Sequence, residues 1–171
     1  MDLKIIKYGS HILREKSIEV IEKDNIALIV ENLFSTLKKE GGLGLAGPQV
    51  GIQKRIFVID TSPLAEEDLS IPKIEKAIVN PEIVGFSKEN GYYTEGCLSI
   101  PGIYENVLRP KNIDVRYYDI NFNLIEESLD GIKARIFQHE YDHLEGVLFI
   151  DRLSSMQRKL LSRKLNRIKN R

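Results

Sequence analysis

A chain of 171 residues, 42% hydrophobic and 29% charged with formal net charge zero, has the size of one domain or at most two small ones and enough apolar residues for a real core. No segment approaches the ~18 consecutive apolar residues of a membrane-spanning helix, and one cysteine, Cys97, excludes a disulfide within the chain. The opening stretch MDLKIIKYGSHILREKS scatters charge and lacks the apolar centre of a signal peptide, so a cytoplasmic protein with no membrane partner is expected.

In chain order, the first predicted helix runs from about Asn25 to Glu40, with Asp24 as N-cap. Ile26, Ile29, Val30, Leu33, Phe34 and Leu37 form its apolar stripe, and Gly41 and Gly42 stop it. GLGLAGPQVG (42–51) is too rich in glycine for regular structure to be expected. RIFVID (55–60) reads as a buried strand, and 61–76 as a polar loop with two prolines. Segments 76–86 and 92–100 predict short strands broken by turn residues. IDVRYYD (113–119) alternates Ile113, Val115 and Tyr117 inward, and NFNL turns it toward a hairpin partner. Asp130 and Gly131 mark the start of a second helix, from about Ile132 to Leu144, which ends at Gly146. A third helical pattern covers Ser154 to Ile168, with Leu153, Met156, Leu160, Leu161, Leu165 and Ile168 on its apolar side. A helix, several antiparallel strands and two more helices predict an α+β fold.

The second helix carries FQHEYDHLEG (137–146). Residues i and i+4 project from one face of a helix, so His139 and His143 point the same way and can grip one divalent ion. Glu140 lies on the neighbouring strip, placed to take a proton from water at that ion. The plainer alternative is a solvated polar face, but two of the chain's three histidines fall in this one HExxH pattern. Zinc peptidases with HExxH find their third ligand in a downstream glutamate or histidine. Here no acid or histidine follows Asp151, so the third ligand must lie upstream. Cys97 is the stronger candidate, because thiolate binds Zn or Fe(II) well; His11 is the rival. A lone cysteine is otherwise most often a small buried hydrophobe.

Three motifs in order, GLGLAGPQ (42–49), EGCLS (95–99) and HEYDH (139–143), resemble those of the peptide deformylases, metallohydrolases that remove the N-formyl group from nascent proteins. The one departure is Gly47, where the family often has a second alanine, and small for small is expected to leave a close backbone approach undisturbed. The resemblance implies one catalytic domain over 1–171, its antiparallel strands packed around a central HExxH-type helix, with an N-terminal helix and a C-terminal amphipathic helix over 154–171. It implies Cys97, His139 and His143 as ligands to Fe(II) or Zn(II), with the fourth position open. Glu140 is then general base and acid, while the Gln49 side-chain amide and the Leu98 backbone N–H form an oxyanion hole. Leu43 and Gly44 would flank the bound peptide, and Glu95 would be a structural residue lining the pocket. Asp142 would support the ligands from behind with Arg109 as its ion-pair partner. Ile132, Arg135 and Ile136 would wall a pocket for the substrate methionine, the Arg135 stem lining it while its charge reaches water.

The implied partner is a nascent N-formyl-Met polypeptide, met by a monomer. The tail from Ser154 has seven Lys or Arg and no acid; it is a solvated helix, or it makes an electrostatic contact with ribosomal RNA. Two rivals remain at this point. A zinc peptidase requires the missing downstream ligand, and a non-catalytic module with a structural metal requires His11 as fourth ligand.

Overall fold

The computed structural model of the protein describes residues 2–22 and 24–170. Helix α1 (Ile26–Glu40) buries Ile26, Leu33 and Leu37. Its N-cap is Asn25, whose side chain accepts the Leu28 N–H, and not the expected Asp24. The Asp24 carboxylate is engaged elsewhere, by the Ile21 N–H and Lys54. Gly41, at φ 71°, ends the helix by returning its N–H to the Leu37 carbonyl, a conformation that favours glycine.

The glycine-rich stretch is more regular than expected. It holds strand β1 (Gly44–Ala46) and a 3-10 turn, Gly47–Val50. Three residues carry no periodicity, and β1 exists because β2 (Ile56–Asp60) pairs with it, Leu45 opposite Val58. The expected loop 61–76 likewise contains a short helix, α2 (Ser62–Glu67), with Pro63 in its first turn, where a missing N–H costs nothing. Strand β3 (Glu75–Phe86) is continuous rather than broken. Its turn-type residues sit at register shifts between Val79 and Glu82 and between Ile83 and Gly85, so they bend the strand without ending it.

Strands β4 (Asn90–Cys97) and β5 (Ile100–Pro110) form a separate hairpin. Most of β5 is not legible from alternation, because its inward set of Ile103, Val107 and Arg109 includes a charge. Strand β6 (Ile113–Tyr118) buries Ile113, Val115 and Tyr117, and pairs with β7 (Leu124–Leu129) through the expected hairpin. The main sheet is antiparallel with order β1-β2-β3-β6-β7.

Helix α3 (Gly131–Leu144) packs on β1 and β2. Ala134, Ile136, Phe137 and Leu144 join Phe57, Ile78, Val115 and Tyr117 in one apolar cluster. Helix α4 (Ser155–Lys169) is capped by Ser154 and Gln157. Leu161 and Leu165 pack with Ile103, Val107 and Phe149 in a second cluster. The expected apolar stripe of α4 is too broad: Met156 and Leu160 are 74% and 77% exposed. The seam through Leu161, Leu165 and Ile168 meets the domain, and Met156 and Leu160 fall off it. A third cluster joins α1 to β2. The seventh basic residue of the tail, Arg171, lies outside the described residues. Among the described residues no helix is long and apolar enough to cross a membrane.

Candidate metal centre

His139 and His143 project from one face of α3 with ring centroids 5.2 Å apart. Cys97 comes to them from the end of β4. A register shift between Glu95 and Cys97 lets two nearby residues aim at different targets, as bulges beside sites often do. The Cys97 Sγ lies 3.3 Å from His143 Nε2, and ligand atoms of Cys97, His139 and His143 all fall within 4.8 Å of one another. Donors so spaced fit around one ion with bonds of about 2.0–2.3 Å. Burial, reinforced by neighbouring His139, holds the His143 imidazole well below the usual histidine range, so it stays in the neutral form that ligates. Burial also opposes a charge on His139, but the Cys97 thiol and the Glu95 carboxylate outweigh it and raise His139 well above that range. His11 is elsewhere, with an 83% exposed side chain beside Glu15.

Glu95 is nearly buried and surrounded by donors. Arg109 reaches it through Nε at 2.6 Å and Nη2 at 2.9 Å, Arg135 through Nη1 at 2.9 Å, and His139 through Nδ1 at 2.9 Å. Burial works against its ionisation, but the bonds from His139 and Arg109 hold its carboxyl well below the ordinary range. An ionised Glu95 fixes the His139 proton on Nδ1 and leaves Nε2 as the ligating atom. Arg135 lines the cleft as expected, but its guanidinium is largely buried rather than free in water, donating to Glu95 and to the Val107 and Gly91 carbonyls. Arg109 also gives Nη1 to Asp142 at 2.7 Å.

The Gln49 side chain is fixed at both ends. Its Oε1 accepts the Ala46 N–H at 2.8 Å, which turns the amide nitrogen toward Cys97 Sγ, 3.4 Å away, and Ser99 Oγ, 3.3 Å away. Next in the chain after Cys97, Leu98 offers its carbonyl to Lys7. Glu140 is 3% exposed, and its Oε2 has no hydrogen-bond partner among the described residues. Burial pushes its carboxyl up to about 7. Gly44 makes room for it, since a Cβ there would lie 2.5 Å from Glu140 Oε1. At Gly47 a Cβ would lie 2.5 Å from the Ile52 carbonyl oxygen, so in this chain glycine and alanine are not interchangeable there.

A cleft of about 450 Å³ opens over this centre. Leu43, Gly44, Gln49, Glu95, Leu98, Ile132 and Ile136 line it together with Cys97, His139 and Glu140; Asp142 and His143 sit behind it. Sequence reasoning missed Ser99, Phe149 and Arg152. Phe149 stacks on His139, its ring centroid 6.0 Å away, and Arg152 grips Asp142. Their only local signal was an apolar residue and a base just beyond the second histidine.

The family model for polypeptide deformylase matches residues 2–159. A peptide deformylase of Cytophaga hutchinsonii is 43% identical, over 96% of this chain and 89% of that protein. The solved peptide deformylase of Plasmodium falciparum superposes with a TM-score of 0.87 at 41% identity, covering 96% of this chain and 94% of the other. That of Thermotoga maritima gives 0.81 at 39% identity, covering 90% and 99%.

Proposed function

We propose, from the premise that the chain belongs to the polypeptide deformylase family, a division of labour among the residues of the cleft. The enzyme removes the N-formyl group from the N-terminal methionine of newly synthesised polypeptides and releases formate. Its single metal belongs at Cys97, His139 and His143, and Fe(II) and Zn(II) both suit two imidazoles and a thiolate. A divalent ion held there supplies Lewis acidity toward oxygen.

Glu140 takes the proton from the attacking water and returns it to the leaving amine. The observation that carries this reading is a buried carboxylate with an unpartnered oxygen, directly beside three convergent metal donors. The Gln49 amide N–H and the Leu98 backbone N–H donate to the oxyanion formed from the formyl oxygen. Gln49 is suited to this because Ala46 already holds the other end of its amide, so little reorganisation is needed. Leu43 and Gly44 flank the peptide, and Ile132 and Ile136 receive the methionine side chain, whose unbranched thioether suits an apolar wall.

We read the whole chain as one catalytic domain with α3 at its centre, since α3 packs on β1 and β2 and α4 closes a cluster shared with β5. The basic side of α4 is read as a contact for ribosomal RNA.

The test is formate release from a short formyl-Met peptide, run beside peptides cleavable only at internal bonds, with enzyme kept under conditions that protect Fe(II). The expected result is formate release that disappears in Glu140→Ala while the variant keeps its metal. Unimpaired formate release from Glu140→Ala would overturn the role of Glu140, and internal cleavage would favour a peptidase.

A further inference from the structure

The turn after the ligand helix, Phe149–Arg152, supplies no ligand and lies outside the three sequence motifs. It nevertheless touches the metal centre twice. Phe149 lies nearly parallel to the His139 ring, at 28°. Three residues later, Arg152 forks onto Asp142, Nε to Oδ2 and Nη2 to Oδ1, both at 2.6 Å. A bidentate guanidinium–carboxylate pair fixes orientation as well as charge.

Asp142 immediately precedes His143 on α3 and is almost fully buried. Its Oδ2 also accepts Arg109 Nη1. Arg109 spends its remaining fork on Glu95, and Glu95 holds His139 Nδ1. The result is an unbroken run of charged hydrogen bonds, Arg152–Asp142–Arg109–Glu95–His139, that ends on the ligand His139 and passes through Asp142, the chain neighbour of the ligand His143.

We infer that Arg152 is a positioning residue for the metal centre, acting through Asp142. Two carboxylates, Glu95 and Asp142, compete for the one guanidinium of Arg109, which is 1% exposed. Arg152 supplies Asp142 with its own fork, so Arg109 can keep Nε and Nη2 on Glu95 and hold the His139 ring in register. Without Arg152, Asp142 has only Arg109 to neutralise it, and a buried carboxylate short of a cation draws that cation toward itself. The pull is transmitted to Glu95 and so to His139. Arg152 is also the most accessible member of the run, its side chain 40% exposed. Its replacement therefore opens no cavity in the core.

The inference rests on Cys97, His139 and His143 being the ligands. The experiment is a Zn(II) titration of metal-free protein against a chromogenic chelator, for wild type, Cys97→Ser, Arg152→Met and Arg152→Lys, with kcat and KM for a formyl-Met peptide. Wild type should bind one ion and Cys97→Ser should lose it; failure here would sink the ligand assignment and this inference with it. With the ligands upheld, Arg152→Met should bind Zn(II) roughly tenfold or more weakly. Its kcat should fall with KM little changed. Arg152→Lys, which keeps the charge without the fork, should recover part of the loss. A merely structural arginine would lower the thermal midpoint of the metal-free protein and leave Zn(II) affinity at the wild-type value; that outcome would overturn the inference. The route is tested in an Asp142→Asn background. There Arg152→Met should add no further loss of affinity, and a full additive loss would show that Arg152 does not act through Asp142.

Discussion

Two glycines three residues apart, Gly44 and Gly47, respond differently to one added methyl. At Gly44 the nearest atoms belong to the Glu140 carboxylate, the far end of a flexible side chain. Gly44→Ala should therefore fold and bind metal but displace the base. A misplacement of this order costs about 10²-fold in kcat, which formate release would register. At Gly47 the obstacle is the backbone oxygen of Ile52, in a turn closed by the Ile52 N–H on the Gly47 carbonyl at 2.9 Å. Backbone cannot rotate away, so Gly47→Ala should cost about 1–3 kcal/mol, a thermal midpoint lower by roughly 2–12 °C. Equal kcat losses and equal midpoint shifts in the two variants would contradict this division. The same contrast explains what a reader of the sequence can see at this scale. HExxH is visible because its spacing is local and helical. The groups that hold its histidines leave no local pattern and enter a sequence reading only through the family resemblance, because Glu95 lies 44 residues from His139 and Arg109 lies 33 from Asp142, and the packing of the β4–β5 hairpin against α3 brings them together.

Elements divide in a similar way. Helices α1, α3 and α4 and strands β2 and β6 are legible because one face of each, or all of it, is apolar with a clean period. Strand β1 is too short for a period, and β5 hides behind a buried arginine. Turn-type residues in β3 predict breaks where the chain makes bulges. Strand β6 also carries a titratable group with a testable consequence. The Tyr117 hydroxyl donates to Glu127 on β7 at 2.7 Å, and Lys76 on β3 reaches the same carboxylate at 3.0 Å. Burial first, and then the bond to Glu127, raise the Tyr117 phenol well above its ordinary range. The folded protein thus keeps this proton at a pH where the unfolded chain, with a phenol pKa of about 10, has lost it. Unfolding then releases a proton, so stability falls as pH rises above about 10. Tyr117→Phe should lose about 1 kcal/mol at neutral pH with the hydrogen bond, yet decline less steeply above pH 10. Urea midpoints between pH 7 and pH 11 would measure both slopes, and parallel slopes would refute the assignment.

In the whole molecule, α4 turns an apolar seam to the domain and a basic side to solvent. Its seam of Leu161 and Leu165 closes the cluster that also contains Phe149, the residue stacked on His139. Removing the helix would uncover that cluster and disturb the metal centre from behind, so truncation cannot isolate the role of its charge. The outer side exposes Arg158, Lys159, Arg163, Lys164, Arg167 and Lys169; because the whole chain has formal net charge zero, the acids that balance this strip lie elsewhere in the protein. A cationic strip of this kind gains affinity for RNA by displacing counterions, an effect that weakens steeply with salt. Converting Arg158, Lys159, Arg163 and Lys164 to glutamate leaves the Leu161–Leu165 seam intact. The quadruple variant should keep its thermal midpoint and its formate release from a short peptide, since none of these residues lines the cleft. Its co-sedimentation with ribosomes at low salt should fall at least tenfold, and wild-type binding should weaken progressively as salt is raised. Ribosome affinity unchanged at low salt would assign the basic side to solvation alone. A variant that lost ribosomes and kept deformylation of free peptides would separate delivery of the nascent chain from the chemistry performed on it.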